Sequence, residues 1–234
     1  MNQIYNWLAK IALIIEDECR IAELSLIEMH GATTLLDLGC GDGSFTIKAA
    51  TKLGASKIYG IDIYDENILK ARAKGIEMRK YDLNNELPFP DGSFDVVLAS
   101  HVIEHLDNTD SFLSEIHRIL KINGYLIMAT PNLAAWHQIF LLFLGKQPTI
   151  SEISDVVLAG TMSPRGKLVS REGPAHRRIF TMGALNGLLQ YYTFEVDSCI
   201  GSGFFPLVGI SGRIMACVDK RHATNIIIKA RKFN

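Results

Sequence analysis

The sequence predicts an α/β protein built on a doubly wound, mostly parallel sheet. Between residues 34 and 130, short apolar runs alternate with helical segments, and this alternation is typical of parallel strands joined by helices that cover both faces. The first strand leads directly into a turn with glycine at positions 39, 41 and 43. With 234 residues the chain can bury a sizeable core. We therefore predict one large domain that carries an insertion.

The elements of the first half follow a regular order. Residues 3–29 form an amphipathic helix, either continuous or broken in two, because apolar residues recur at spacings of three and four. We expect this segment, residues 1–30, to be a helical cap. The predicted strands are 34–38, 57–61, 77–80, 94–99 and 124–130, and the helices between them are 43–53, 65–74 and 109–121.

The alternation stops after Pro131. A very apolar helix is predicted at 134–144, followed by a loop to about residue 178 that contains proline and glycine. Regular structure resumes with a helix at 182–191 and strands at 194–200 and 224–230. We interpret residues 133–179 as the insertion, and residues 31–132 and 180–234 as the main domain.

Composition excludes several classes of protein. The net charge of −1 gives no global field that would attract nucleic acid. The four cysteines contain no Cys-x-x-Cys pair, so a disulfide framework is disfavoured and a reducing cytoplasm is expected. No apolar run reaches the roughly 18 residues of a membrane span, although the apolar segments 136–144 and 203–210 leave peripheral membrane contact open. We expect a monomer or a homodimer.

The glycine turn predicts a nucleotide site. Glycines without Cβ let the backbone approach a ligand and direct N–H groups at it. Ser44 stands where a dinucleotide fingerprint needs a third glycine, and no Lys-Ser/Thr follows as in a phosphate-binding loop. Asp37 precedes the glycines, and its carboxylate would repel a pyrophosphate but suits a cationic group.

The stretch Asp37-Leu38-Gly39-Cys40-Gly41-Asp42-Gly43 resembles motif I of the class I S-adenosylmethionine-dependent methyltransferases. Further matches to that family follow in the expected order at 58–62, 81–83, 94–100 and 124–132. The resemblance covers about half of the chain. It implies a Rossmann-like, seven-stranded sheet whose last two strands form an antiparallel edge hairpin, with an insertion after strand five that builds the acceptor pocket.

The resemblance also implies the cofactor, S-adenosylmethionine, with S-adenosylhomocysteine as the product. Asp62 would hold both ribose hydroxyls, and the stretch from Tyr81 to Leu83 would meet the adenine. The expected cofactor-binding residues are Asp37, Gly39, Cys40, Gly41, Asp62, Ile63, Asp82, Leu83, Ser100, His101 and His105.

Two histidines are candidate bases for an acceptor hydroxyl. His101 follows strand four, and His176 lies in a His-x-Arg-x-Phe-Thr stretch that resembles the acceptor wall of related methyltransferases. The stretch from His101 to His105 also reads His-x-x-Glu-His, a zinc-protease motif. We disfavour that hypothesis because the motif directly follows a buried strand and a protease has no use for a glycine cradle, so no metal is expected.

The acceptor is predicted to be a small molecule that is methylated on oxygen, and Trp136, His176 and Arg178 are the expected substrate-binding residues. A basic loop suggests an anionic acceptor, although a solvated loop explains it equally well. The apolar segments suggest a lipid-like or glycan acceptor, with core or dimer contact as the alternative. The basic residues of the loop are Arg165, Lys167, Arg171, Arg177 and Arg178.

Two further alternatives stay open. A non-catalytic, S-adenosylmethionine-binding regulatory subunit would need the same cradle and no base. An RNA or protein acceptor is disfavoured by the net charge and by the lack of interleaved basic and aromatic residues.

Overall fold

The computed structural model describes residues 2–28, 33–158, 169–170 and 175–233. The described strands are β1 Thr33–Leu38, β2 Ala55–Asp62, β3 Glu77–Lys80, β4 Phe94–Ser100, β5 Leu120–Pro131, β6 Val157–Leu158, β7 Val169–Ser170, β8 Phe194–Ser202 and β9 Asn225–Lys232. Seven of them form one sheet in the order β3-β2-β1-β4-β5-β9-β8, and the short strands β6 and β7 pair separately.

Helices cover both faces of this sheet. Local sequence explains where several of them begin and end: the side chains of Asn108 and Thr181 cap two N-termini, and Gly54 adopts a left-handed conformation at a C-terminus. The helices are α1 Asn2–Ser25, α2 Ser44–Leu53, α3 Asp65–Ala73, α4 Thr109–Ile119, α5 Trp136–Phe143, α6 Met182–Tyr191 and α7 Gly209–Val218, with 3-10 turns at Ile103–His105 and Lys220–His222.

The pairing directions confirm the predicted fold class. β3, β2, β1, β4 and β5 pair in parallel, whereas β9 runs antiparallel to both β5 and β8. The last two strands of the sheet therefore form the antiparallel edge that the resemblance implies. The carboxyl ends of β1, β2 and β4 lie side by side, which is where ligands bind in open parallel sheets.

The core forms one apolar layer on each face of the sheet. Leu36 and Leu38 of β1 pack in one layer, and Leu35 packs in the other with part of α1. Because neighbouring side chains of a strand point to opposite faces, a strand buried on both sides is apolar throughout. Asp37 interrupts this run and is itself buried, so its position calls for a chemical explanation.

α1 is a single helix, which is one of the two predicted alternatives. α7, by contrast, occupies a region between β8 and β9 where no helix was predicted. α7 begins at Gly209 and leaves Ile210, Ile214 and Val218 exposed, so its apolar pattern does not mark a buried face. Within the described residues no helix has both the length and the apolar character needed to cross a membrane.

Candidate cofactor cleft and acceptor cavity

The glycine turn after β1 is fixed against the neighbouring strand. The N–H groups of Gly39 and Cys40 both donate to the carbonyl of Ile61, at 2.9 and 3.0 Å. Gly39 and Gly41 have φ values of +73° and +56°, which are costly for residues with a Cβ. A Cβ on Gly39 would lie 2.6 Å from Cγ2 of Val102, whereas one on Gly41 would meet open space. The backbone at Gly41 is therefore the open face of the turn.

Asp62 closes this turn from the end of β2. Its carboxylate accepts hydrogen bonds from the N–H of Gly41 and the N–H of Tyr64, both at 2.9 Å, and from the amide of Asn67 at 3.3 Å. Only 7% of Asp62 is exposed. These contacts place one acid directly beside the open backbone of the glycine turn.

Asp37 is a second acid beneath the turn. It is 3% exposed, and its carboxylate accepts a hydrogen bond of 2.6 Å from the hydroxyl of Thr46. Burial raises the pKa of Asp37 to about 7, and the Thr46 hydrogen bond and the charge of Arg20 only partly oppose that rise. A cationic ligand group would relieve the cost of ionising this carboxyl group.

Helix α1 reaches the end of β4 through a buried acid. The hydroxyl of Ser100 donates to Oε1 of Glu23 at 2.9 Å, and the thiol of Cys19 donates to the same atom at 3.7 Å. Burial raises the pKa of Glu23. Arg20 lies 3.7 Å from Glu23 and stacks over the ring of Phe45, so α1 brings a cation and an acid to the strand ends.

His101 follows Ser100 in a left-handed conformation, with φ of 55°. Its N–H donates to the carbonyl of Ala129 at 2.8 Å, and its Nδ1 lies 3.3 Å from Oε1 of Glu104. Glu104 is 1% exposed, and its Oε2 accepts a 3.0 Å hydrogen bond from Thr130. Burial alone would raise the pKa of Glu104, but contact with His101 outweighs it and lowers the pKa.

The predicted His-x-x-Glu-His stretch does not form one face of an α-helix, because residues 103–105 make a single 3-10 turn. Instead, this turn anchors the end of the insertion. The N–H groups of Arg177 and Arg178 donate to the carbonyl of Glu104 at 2.6 and 3.0 Å. The rings of His105 and His176 consequently stack with centroids 4.9 Å apart. The two candidate stretches of the acceptor side thus meet.

A cavity of about 1160 Å³ opens beside these residues. Helices α1 and α5 supply most of its apolar wall, and its polar lining includes residues at the end of β4 and the start of β9. The apolar wall includes Leu8, Ala12, Ile15, Phe140, Leu141, Ile150 and Phe205, and the polar groups include Glu16, Arg20, His101, His137, Gln138, Thr149, His176, Thr224 and Asn225. Such a cavity can hold a largely apolar molecule and orient one polar end.

The remaining predicted residues are more dispersed. Trp136 donates to Asp219 at 2.8 Å and stacks on His222 at 4.4 Å, so its contacts are with the 3-10 turn before β9. Arg178 is exposed and donates to the carbonyl of Asp107 at 3.0 Å. These substrate-binding assignments stay predictions.

The cofactor-side residues also differ in exposure. Asp82 is exposed and accepts a 2.9 Å hydrogen bond from the N–H of Asn84, and Ile63 is 48% exposed. Leu83 and Cys40 are buried. Three residues of the predicted basic loop, Arg165, Lys167 and Arg171, lie outside the described residues.

Sequence reasoning missed several residues of the site, among them Arg20, Glu23, His137 and Gln138. His137 packs against Phe205 with ring centroids 5.0 Å apart, and burial lowers its pKa to about 4. Glu23 carried a usable signal, since it continues the buried stripe of α1 that runs through Ile15 and Cys19 at a spacing of four. A charge at such a position usually has a partner.

Comparisons with known proteins show that the sequence of this chain is similar to those of methyltransferases. Residues 36–128 match the model of a methyltransferase domain. The probable S-adenosylmethionine-dependent methyltransferase of Mycolicibacterium smegmatis is 31% identical over 196 residues, covering 82% of this chain and 61% of that protein. The demethylmenaquinone methyltransferase of Listeria welshimeri is 31% identical over 130 residues, covering 50% of this chain and 54% of that protein.

Solved structures share the fold. The crystal structure of an S-adenosylmethionine-dependent methyltransferase from Mesorhizobium loti superposes with a TM-score of 0.62 at 19% identity, covering 90% of this chain and 96% of that chain. Each match to the two curated relatives, by contrast, spans less than two thirds of the relative's length.

Proposed function

Because this chain carries a class I S-adenosylmethionine-dependent methyltransferase domain, we propose that it transfers a methyl group to the oxygen of a lipid-like small molecule. The observation that carries this proposal is the large, mainly apolar cavity that His101, His137 and His176 line together. In this proposal, residues 31–132 and 180–234 hold the cofactor, residues 1–30 cap it and residues 133–179 form the acceptor side.

The residues of the cleft fit the cofactor. The backbone at Gly41 is open where an added Cβ would meet nothing within 4 Å, and Asp62 lies 2.9 Å from its N–H. Asp37 supplies a buried carboxyl group beneath the turn, and Arg20 supplies a cation for a carboxylate. When bound, S-adenosylmethionine supplies a methyl group that its positively charged sulfur already activates. The protein then contributes mainly position and orientation.

Asp62→Ala is expected to weaken S-adenosylmethionine binding at least about tenfold, a loss of more than ~1.4 kcal/mol. The change removes the acid and also leaves the N–H of Gly41 without its acceptor. Isothermal titration calorimetry measures the effect. Asp65→Ala is the matched control, because Asp65 lies three residues away, is exposed and pairs with Lys80. Equal affinities of the Asp62→Ala variant and the wild type would refute the role assigned to Asp62.

Two observations support a lipid-like acceptor over an anionic one. The lining of the cavity is mainly apolar, and the basic residue Arg177 is already paired with acids. The guanidinium of Arg177 lies 3.2 Å from Asp155 and 3.4 Å from Asp107, so its charge is already balanced by two acids. The Listeria relative is named for demethylmenaquinone, a quinone, which shows that acceptors of this chemical class occur among similar proteins.

An acceptor hydroxyl must lose its proton as its oxygen is methylated. His101 lines the cavity, and Glu104 lies 3.3 Å from its Nδ1. The negative charge of this carboxylate would stabilise the cation that forms when Nε2 accepts a proton. His101 is therefore the residue to which we assign proton transfer.

The experiment is an incubation of the protein with methyl-labelled S-adenosylmethionine and either a lipid extract or an aqueous extract of its host. We expect label in the organic phase, in products whose new bond is to oxygen. His101→Asn is expected to lower that rate by roughly 100-fold, and calorimetry with S-adenosylmethionine measures separately how much of this loss comes from weaker cofactor binding. Label only in aqueous products would refute the lipid-like acceptor, and no transfer despite cofactor binding would favour a regulatory subunit.

A further inference from the structure

We propose that Glu104, His105 and His176 form a binding site for a divalent transition-metal ion. One potential ligand atom from each of these side chains lies within 4.8 Å of the others. Two imidazoles and one carboxylate are a donor set that protein zinc sites use. The residues come from two segments about 70 positions apart, which the hydrogen bonds from Arg177 and Arg178 to the carbonyl of Glu104 bring together.

Hydrogen bonds to backbone carbonyl groups hold both histidines in the tautomer that leaves Nε2 able to bind a metal ion. Nδ1 of His105 lies 3.1 Å from the carbonyl oxygen of Ala175, and Nδ1 of His176 lies 3.0 Å from the carbonyl oxygen of Ile150. Since a carbonyl oxygen only accepts hydrogen bonds, each Nδ1 carries the proton and each Nε2 keeps a lone pair. Metal-binding histidines typically show this second hydrogen bond, which fixes the ring and its tautomer.

Glu104 supplies the third ligand. Its Oε2 accepts the hydrogen bond from Thr130, while its buried Oε1 has no hydrogen-bond partner within the described part of the chain. The nearest ring nitrogen of His101 is 3.3 Å away at ion-pair distance, but Oε1 still lacks a properly directed donor. Burying a carboxylate oxygen without a hydrogen-bond donor costs folding free energy. A metal cation bound to this oxygen would offset that cost.

The site adjoins the acceptor cavity, because His176 lines the cavity wall. Three protein ligands leave a coordination position open on a tetrahedral ion. If the proposed function holds, that position would take the acceptor oxygen and favour its deprotonated form. No metal was expected from the sequence because the stretch from His101 to His105 directly follows a buried strand beside a glycine cradle. The site proposed here differs from that motif, since His176 takes the place of His101.

The test uses untagged, chelator-treated protein without S-adenosylmethionine. Calorimetric titration with Zn²⁺ is expected to give one ion per chain, and Co²⁺ is expected to give the visible absorption of a tetrahedral site. Mg²⁺ should not compete, because it prefers oxygen ligands. Glu104→Gln and His176→Ala are each expected to lower Zn²⁺ affinity by more than the roughly 10- to 100-fold that loss of an outer-shell partner costs.

His137→Ala is the matched control, since His137 is another half-buried histidine of the same cavity, and it should keep the wild-type Zn²⁺ affinity. Absence of saturable Zn²⁺ and Co²⁺ binding in the wild type would overturn the proposal, as would equal affinity in all variants. Calorimetry with S-adenosylmethionine in the presence of chelator reports cofactor binding by itself. Failure of the metal site and failure of the proposed function are therefore distinguishable.

Discussion

Replacing Asp37 with asparagine is expected to stabilise the unliganded protein at pH 8 and to flatten its pH dependence. The pKa of Asp37 is about 7 in the folded protein and about 3.9 in an unfolded chain. Between these values the folded state binds more protons, so the wild type loses stability as the pH rises from about 4 to about 7. The loss is on the order of 4 kcal/mol. Asparagine does not titrate and can still accept the hydrogen bond from Thr46.

Urea unfolding of both proteins at pH 5 and pH 8 measures this effect. The difference between their pH slopes isolates Asp37, because all other groups are common to the two proteins. Asp42→Asn is the control: a hydrogen bond from Lys74 holds the pKa of Asp42 well below its usual range, so this variant should keep the wild-type slope. Identical slopes for the wild type and Asp37→Asn would show that Asp37 is ionised in the folded protein.

The same substitution should weaken the binding of S-adenosylmethionine at pH 8 at least about tenfold. In the proposed function the carboxylate of Asp37 complements a cationic group of the cofactor, and an amide carries no charge. A variant that is more stable and binds worse would identify Asp37 as a residue kept for function at the expense of stability.

Gly39→Val is expected to abolish cofactor binding and to destabilise the protein by roughly 3 kcal/mol or more. The Cβ would lie 2.6 Å from Cγ2 of Val102, and valine disfavours the φ of +73° that Gly39 adopts. Either the turn or Val102 must move, and in the proposed function the backbone of this turn faces the cofactor. Calorimetry and urea unfolding measure the two losses.

Two glycine variants separate the clash from the backbone strain. Gly41→Ala places its Cβ in open space at φ of +56°, so it should cost only about 1–2 kcal/mol yet still block ligand approach. Gly75→Ala is the control, because Gly75 has a φ of +86° and its added Cβ would also meet open space. Gly75 lies outside the turn, so this variant should keep the wild-type cofactor affinity. Normal binding by Gly41→Ala would contradict the assignment of its backbone to the open face.

The sequence allowed the sheet to be predicted because each strand is a local apolar run. β1 and β4, for example, are buried along most of their length, and such runs are visible without knowledge of their partners. α7 was not predicted, although Ile210, Ile214 and Val218 recur at the helical spacing of four. The glycines at 209 and 212 weaken the helical signal of this segment.

The site was only partly predictable for a related reason. Asp62 and the glycines lie on consecutive strands of a repeating unit, so their meeting follows from the topology. The contact of Ser100 with Glu23 joins residues that are 77 positions apart, and the stacking of His105 on His176 joins residues 71 positions apart. A local sequence pattern can indicate that a helix or strand face is buried, but it does not indicate which distant segment packs against that face.

The cofactor cleft and the acceptor cavity are built from different parts of the chain. The first two strands and the turn after β1 supply Asp37, Gly39, Gly41 and Asp62. Helices α1 and α5 and the segments around His176 and Phe205 enclose the cavity. Substitutions that reshape the enclosing segments leave the first two strands intact. Over evolutionary time a lineage with this architecture can acquire new acceptors while retaining the same donor.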